Sequence, residues 1–329
     1  MLPDARRIEE AAALLDAGEL VAFPTETVYG LGADAADAYA VARIFVAKGR
    51  PASHPLIVHF SNFAAARGWA AEVPPAAERL AEAFWPGPLT LVLPKAPAVP
   101  AAVTGGQDTV AMRAPAHPVA RALLAAFGRG IAAPSANRHG RISPTRARDV
   151  LEELGHRVAL VLDGGDCEVG LESTIVACLR GRVTLLRPGS ISRSQVEDVV
   201  GRVEEPGTDA PRVPGSGRSH YAPGTPLALV ECKDLGRAVE AALAGGERVA
   251  VLAHSAGFVA SDRVTWRRMP EAPAAYGRAL YAALRALDAS GADRILVEAV
   301  PAGEPWAAVA DRLARASASG VAEDGLSGP

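Results

Sequence analysis

The feature that most constrains this chain is an apolar run, Leu20-Val21-Ala22-Phe23, that stops at Pro24. Such a run, bounded by a proline, reads as a buried strand. Directly after the proline comes Thr25-Glu26-Thr27-Val28-Tyr29-Gly30-Leu31-Gly32, a stretch of hydroxyls, a carboxylate, a tyrosine and two glycines. Strands that end in small polar groups are how α/β proteins present a ligand at the carboxyl edge of a sheet. An ordinary strand-to-helix turn accounts for the segment equally well, because fold-level cues do not fix function. The choice turns on whether the chain holds more polar clusters of this kind.

It does. Pro134-Ser135-Ala136-Asn137 comes after the apolar stretch Gly130-Ile131-Ala132-Ala133. Ser135 and Asn137 alternate on one side of an extended segment, so both can face one ligand. Ser143-Pro144-Thr145 precedes a helical pattern; one hydroxyl is expected to cap that helix and the other to touch a ligand. Glu172-Ser173-Thr174 enters a strand just after Gly164-Gly165 and Gly170, and Arg187-Pro188-Gly189 ends another. Thr109 and Arg113 flank Val110-Ala111-Met112, while His54 and His59 bracket Pro55-Leu56-Ile57-Val58. A lone histidine on a strand is more often structural than catalytic, so these two carry little weight by themselves.

Charge adds a second line. Lysine occurs only at 48, 95 and 233, against 31 arginines, so arginine serves wherever a generic cation will do. Lys48-Gly49-Arg50 therefore pairs a compact point charge with a planar fork, and phosphate sites use both. A surface lysine favoured by a helix C-terminus is the plainer account. Seven arginines (113, 121, 129, 138, 141, 146 and 148) fall in a stretch without Asp or Glu. In a chain of net charge −3 this suggests a phosphate-bearing ligand, or else a solvated basic face.

With 329 residues, 49% of them hydrophobic, the chain has room for two domains and a sizeable core. Cys167, Cys178 and Cys232 form no C-x-x-C pair and read as reduced, buried thiols of a cytosolic protein. The start lacks the apolar core of a signal peptide, and no apolar run approaches the roughly 20 residues of a membrane span. A cytoplasmic protein with no membrane partner is expected.

Helices are expected over 4–17, 37–47, 119–127, 145–154 and 192–202, the last opened by Ser192 and Gln195 at capping-box spacing. Strands are expected over 20–23, 56–60, 89–93, 109–112, 130–133, 159–162, 173–178 and 183–187. This mixture implies an α/β fold with an open, partly antiparallel sheet over 1–203. Residues 204–226 hold five prolines and four glycines and read as a linker without packed structure. A second alternation over 227–329 (strands at 227–231, 248–253 and 294–298; helices at 235–243, 274–289 and 306–316) suggests a small parallel α/β domain. The tail from 317 is expected to fray.

No G-x-x-x-x-G-K-[ST] loop, G-x-G-x-x-G fingerprint or metal-ligand spacing is present. In this order and spacing, the segments 24–32, 48–50, 55–59, Ser135-Ala136-Asn137, Glu172-Ser173-Thr174-Ile175, Arg187-Pro188-Gly189 and His220-Tyr221-Ala222-Pro223 resemble one family. It is the longer threonylcarbamoyl-AMP synthases, in which a YrdC-like domain with a concave cationic groove precedes a Rossmann-like one. The resemblance covers nearly the whole chain. It implies the nucleotidyl transfer L-threonine + bicarbonate + ATP → threonylcarbamoyl-AMP + pyrophosphate, in the pathway to the tRNA base t6A. Thr27, His59, Arg113, Ser135 and Ser173 would then line the L-threonine pocket. Lys48, Arg50, His54, Thr109, Asn137, Ser143, Thr145 and Arg187 would hold ATP, with Lys48 and Arg50 catalytic and Tyr221 reaching in from the linker as the tip of a lid. The family usually has Asn where this chain has His54, which can still donate to a phosphate or ribose.

Mg²⁺ would arrive with the triphosphate, since it keeps waters and few protein ligands. Implied partners are the downstream tRNA threonylcarbamoyl-transfer proteins, with a weak tRNA contact. Three other functions compete. A non-catalytic RNA-binding module explains the arginines but not the hydroxyls. Carbamoyl transfer in hydrogenase maturation expects Cys-rich zinc motifs, and a Rossmann redox enzyme expects the glycine fingerprint.

Overall fold

The polar segment after Phe23 leads into no helix; it turns the chain back on itself. Strand β1, Val21–Phe23, pairs antiparallel with β2, Gly30–Asp34, and Phe23 lies opposite Gly30. Gly32 is required here, because a Cβ would come within 2.8 Å of Ile131 and 2.9 Å of the Phe23 ring. The strand-to-helix turn is thus corrected to a strand–loop–strand unit. The computed structural model describes residues 3–215, 220–255 and 261–318.

Seven further strands complete a mixed sheet: β3 Ile57–His59, β4 Leu89–Pro94, β5 Thr109–Arg113, β6 Ile131–Ala132, β7 Leu160–Val161, β8 Thr174–Leu179 and β9 Arg182–Arg187. Their order is β7-β1-β2-β6-β3-β5-β4-β8-β9. β3 and β5 are parallel, as are β4 and β8, whereas β4 and β5 run antiparallel. Alternation along these strands gives the sheet two characters. Val58, Leu91, Met112 and Val176 enter the main core with Val41 and Ile44 of the helix Ala38–Lys48 and Leu80 of the helix Pro75–Phe84. The opposite face carries Ile57, Val92, Ala111, Ile175 and Ala177, and Val213 covers them.

The packing of Val213 departs from the expectation of an unstructured linker. Glu204 donates its N–H to the Val183 carbonyl at 2.8 Å and accepts from Leu185 at 3.1 Å, so the first part of 204–226 is laid along β9. Prolines lack an N–H, but a strip bound on one side only needs few donors.

The described residues fall into two compact units: 3–139 with 143–215, and 140–142 with 220–255 and 261–318. The short strip 140–142 joins the second unit because Gly140 accepts the Ala222 N–H at 2.8 Å and Arg141 pairs with Asp288 at 3.1 Å. That unit holds a four-stranded, wholly parallel sheet: β10 Leu227–Val230, β11 Val249–Ala253, β12 Val264–Arg268 and β13 Arg294–Glu298, ordered β10-β13-β11-β12. The tail falls partly outside the described residues, and the helix Ala307–Ser317 runs into it. Cys167 and Cys178 are buried as expected, but Cys232, at the start of the helix Cys232–Ala244, is exposed. Among the described residues no helix is long and apolar enough to cross a membrane.

Candidate active site

Arg113 closes β5, directly across from His59 at the end of β3. Its guanidinium is buried and fully oriented. Nε donates to the Gly87 carbonyl at 3.1 Å and Nη1 to Thr27 Oγ1 at 2.8 Å, while Nη2 lies 2.7 Å from Glu26 Oε1. Glu26 in turn accepts the Ala116 N–H at 3.0 Å. Thr27 is set by Thr25, whose hydroxyl lies 2.8 Å away and also donates to the Val28 carbonyl. Burial and then the Arg113 charge pull the His59 pKa down to about 3, so this imidazole is neutral at pH 7. Ser173, just before β8, shares a 2.7 Å hydrogen bond with Thr90. By strand alternation His59, Arg113, Thr90 and Ser173 share one face of the sheet. Thr27, His59, Arg113 and Ser173 are therefore brought together, with Glu26 and Thr90 as members that sequence reasoning missed. Glu26 stood in the quoted motif, but nothing local named its partner.

A second cluster sits where the helix Ala38–Lys48 ends. Asp37 caps its start, and Gly49, at φ 61°, ends it in the left-handed region that glycine tolerates. Lys48 is 3% exposed, and its Nζ donates to the carbonyls of Ser135, at 2.5 Å, and of Asn137. Burial, then the Arg50 charge, drives its pKa well below the usual lysine value. Arg50 donates to the Pro55 carbonyl at 3.1 Å, and His54 meets His139 edge-on with ring centroids 5.3 Å apart. Burial and then the charges of Arg50, His54 and Lys48 lower His139 to about 4; burial and Arg50 lower His54 as well. Burial, reinforced by the positive charge gathered here, keeps both rings neutral. No sequence signal points to His139, a single histidine in a loop.

The remaining candidates spread out. Arg187 clamps Ser173, donating to its carbonyl at 2.8 and 3.1 Å, and reaches the Pro214 carbonyl at 2.8 Å. Ser143 donates to Glu172 at 2.6 Å. Neither Ser143 nor Thr145 caps the helix Ala147–Leu154, contrary to expectation: the backbone N–H groups of Thr145 and Arg146 go to the Asp149 carboxylate, each at 3.1 Å. Asn137 is buried, its amide donating to the Arg138 carbonyl. Thr109 lies at the far end of β5 from Arg113, beside a 330 Å³ cavity lined by Ala177, Leu179, Thr184 and Leu186. Tyr221 belongs to the second unit, where its ring stacks on Tyr281 at 5.9 Å with Arg312 over its face. Its φ of 62° is a left-handed backbone that tyrosine rarely takes.

The arginine band dissolves once the chain is folded. Arg113 pairs with Glu26, Arg129 with Asp16 and Asp34, Arg138 with Glu153, Arg141 with Asp288 and Arg146 with Asp166. Acids distant in sequence supply what the local stretch lacks, so no continuous basic face results from these arginines.

A family model described as "Telomere recombination" matches residues 13–189, and one described as "Threonylcarbamoyl-AMP synthase, C-terminal domain" matches residues 191–318. A Pyrococcus abyssi protein named threonylcarbamoyl-AMP synthase is 42% identical over 328 residues, covering 94% of this chain and 95% of its own length. A Bacillus subtilis protein of the same name is 42% identical over 327 residues, covering 96% and 94%. Among solved structures, the crystal structure of P. abyssi Sua5 complexed with L-threonine superposes with a TM-score of 0.88 at 41% identity, covering 96% of each chain.

Proposed function

This chain belongs to the threonylcarbamoyl-AMP synthase family, and we propose that it condenses L-threonine, bicarbonate and ATP into threonylcarbamoyl-AMP, pyrophosphate and water. The observation that carries this reading is the Arg113 fork, buried and held between Thr27 and Glu26 on the sheet face that also bears His59 and Ser173. A guanidinium so fixed suits a substrate carboxylate. The solved relative was crystallised with L-threonine.

In this mechanism the threonine amine takes up CO2 with loss of a proton, or bicarbonate with loss of water, to form a carbamate. A carbamate oxygen attacks the α-phosphorus, and pyrophosphate leaves with the electron pair of the broken P–O bond. The reaction is thus a nucleotidyl transfer. No side chain forms a covalent intermediate, so positioning and charge stabilisation supply the rate. Thr27, His59, Ser135 and Ser173 surround the amino acid. His59, neutral at pH 7, adds no charge to compete with Arg113. Lys48, Arg50, His54, Asn137, Ser143, Thr145, Thr109 and Arg187 hold the nucleotide. Among the described residues no three His, Cys, Asp or Glu side chains gather as a metal site. Mg²⁺ enters as part of the ATP substrate, keeping most of its waters. The product passes to proteins that place the threonylcarbamoyl group on tRNA, as t6A.

Purified protein incubated with ATP, bicarbonate and labelled L-threonine should release pyrophosphate only when all three are present. Salt-sensitive tRNA binding without pyrophosphate release would overturn the proposal in favour of an RNA-binding module.

A further inference from the structure

The second unit has a polar edge of its own that the proposed reaction does not use. Glu298 ends β13, which lies between β10 and β11, so it stands at the centre of the carboxyl edge of a parallel sheet. Ligands of open α/β sheets bind outside that edge. Glu298 is 1% exposed. Its Oε2 accepts the backbone N–H groups of His254, at 2.8 Å, and Ser255, at 2.9 Å. Burial pushes this carboxyl up, but hydrogen bonds from Ser255, Cys232 and His254 outweigh it and hold the pKa below the usual value. The group is an anion at neutral pH.

Among the described residues it has no permanent counter-charge. The basic group beside it is His254, whose Nδ1 lies 3.2 Å from Oε2 and carries charge only when protonated. Among the described residues, Glu298 Oε1 and the hydroxyl of fully buried Tyr276 each have no hydrogen-bond partner of ordinary distance and angle. Tyr276 lies within electrostatic reach, since burial and then the Glu298 charge raise its pKa. Three rings stand together here: His254 lies 6.2 Å from Tyr276 and 5.9 Å from Trp306, and Tyr276 lies 5.4 Å from Trp306. Buried anions are normally paired, and aromatic faces attract cations.

We infer that Glu298, Tyr276, Trp306 and His254 form a second ligand site, for a small organic cation bearing a primary ammonium group. One ammonium proton meets Glu298 Oε1, another meets the Tyr276 oxygen, and the charge faces the rings. A bare metal ion fits less well, because among the described residues no three His, Cys, Asp or Glu side chains gather here. Entry is past His254, whose side chain is 16% exposed, and the exposed Cys232.

The test is a calorimetric titration of the full chain with n-butylammonium chloride and, in parallel, n-butanol, its neutral near-isostere. The ammonium should bind at one site, at least about tenfold tighter than the alcohol. Glu298→Gln should weaken it by about tenfold and Tyr276→Phe by about threefold, with melting curves confirming that each variant folds. In an amide-resolved spectrum, His254 and Ser255 should shift during the titration while Thr27 and Ala116 stay still. If Glu298→Gln fails to fold, Tyr276→Phe and the alcohol comparison still decide. Equal uptake of both probes, uptake of neither, ammonium binding that survives Glu298→Gln, or shifts confined to the first unit would each overturn the site and leave the open atoms to ordered water. None of these readouts depends on the proposed reaction.

Discussion

The two ends of the first unit's polar region bury positive charge in opposite ways. At Arg113 the guanidinium is matched by a buried carboxylate, Glu26, and its remaining edges are fixed by Thr27 and Gly87. At Lys48 and Arg50 the donors meet backbone carbonyls, and two neighbouring histidines are depressed by burial and then by the positive charge. The first arrangement gives direction with little net charge, which suits a single carboxylate. The second leaves a field, which suits a polyphosphate whose charge is spread over many oxygens. One end selects and the other attracts.

The sharpest way to break this contrast is at Arg113. Arg113→Lys keeps the counter-charge of Glu26 but loses the fork, so kcat/KM for L-threonine should fall by about 100-fold, or about 2.7 kcal/mol, while KM for ATP holds. A loss of less than about threefold would show that direction is unimportant there. Glu26→Gln makes the complementary cut. It strands a buried guanidinium, which should cost roughly 3 kcal/mol in urea unfolding and raise KM for L-threonine.

At the other end the field itself can be measured. Arg50→Ala should let the His139 pKa climb from about 4 toward 6.5, because a nearby cation no longer opposes the imidazolium. Proton resonances of the ring report it, and KM for ATP should rise by about tenfold in parallel. An unmoved His139 would mean that burial alone sets its titration.

His59, the depressed histidine at the Arg113 end, makes a stability prediction with a definite sign. His59 titrates near 3 in the folded chain and near 6.5 when unfolded, so folding gains from its neutrality above about pH 6.5. That contribution is lost as pH falls from 6.5 toward 3, at roughly 1.4 kcal/mol for each pH unit. Urea midpoints at pH 7, 5.5 and 4.5 should fall less steeply in His59→Gln than in the parent chain.

Much of this is legible in the sequence where a signal is local. Ser192 and Gln195 form the reciprocal cap that their spacing announces. The strand β2 is hidden because Gly-Leu-Gly-Ala-Asp lacks β-branched side chains; it exists because its glycines let Phe23 and Ile131 close in. The helix Pro75–Phe84 is hidden behind Pro74-Pro75, which reads as a breaker, although proline suits a first helical turn. The arginine band misleads for a related reason: its acids, such as Asp16, Asp34 and Asp166, are neighbours only after folding. Residue types survive a linear reading; pairings do not.

The finest test of the two-ended picture is Thr109. It shares a strand face with Arg113 but lies four residues away, about 13 Å along β5. A nucleotide reaching from the Arg50 cluster to Thr109 would make one hydroxyl contact there, remote from the amino acid. Thr109→Val removes that hydroxyl at nearly constant volume. It should raise KM for ATP by about fivefold, about 1 kcal/mol, and leave KM for L-threonine within error. Equal effects on both substrates would mean that the face is not divided, since a change at one end should not travel down a rigid strand. No effect on either would move the nucleotide off this face and confine it to the Lys48–Arg50 corner.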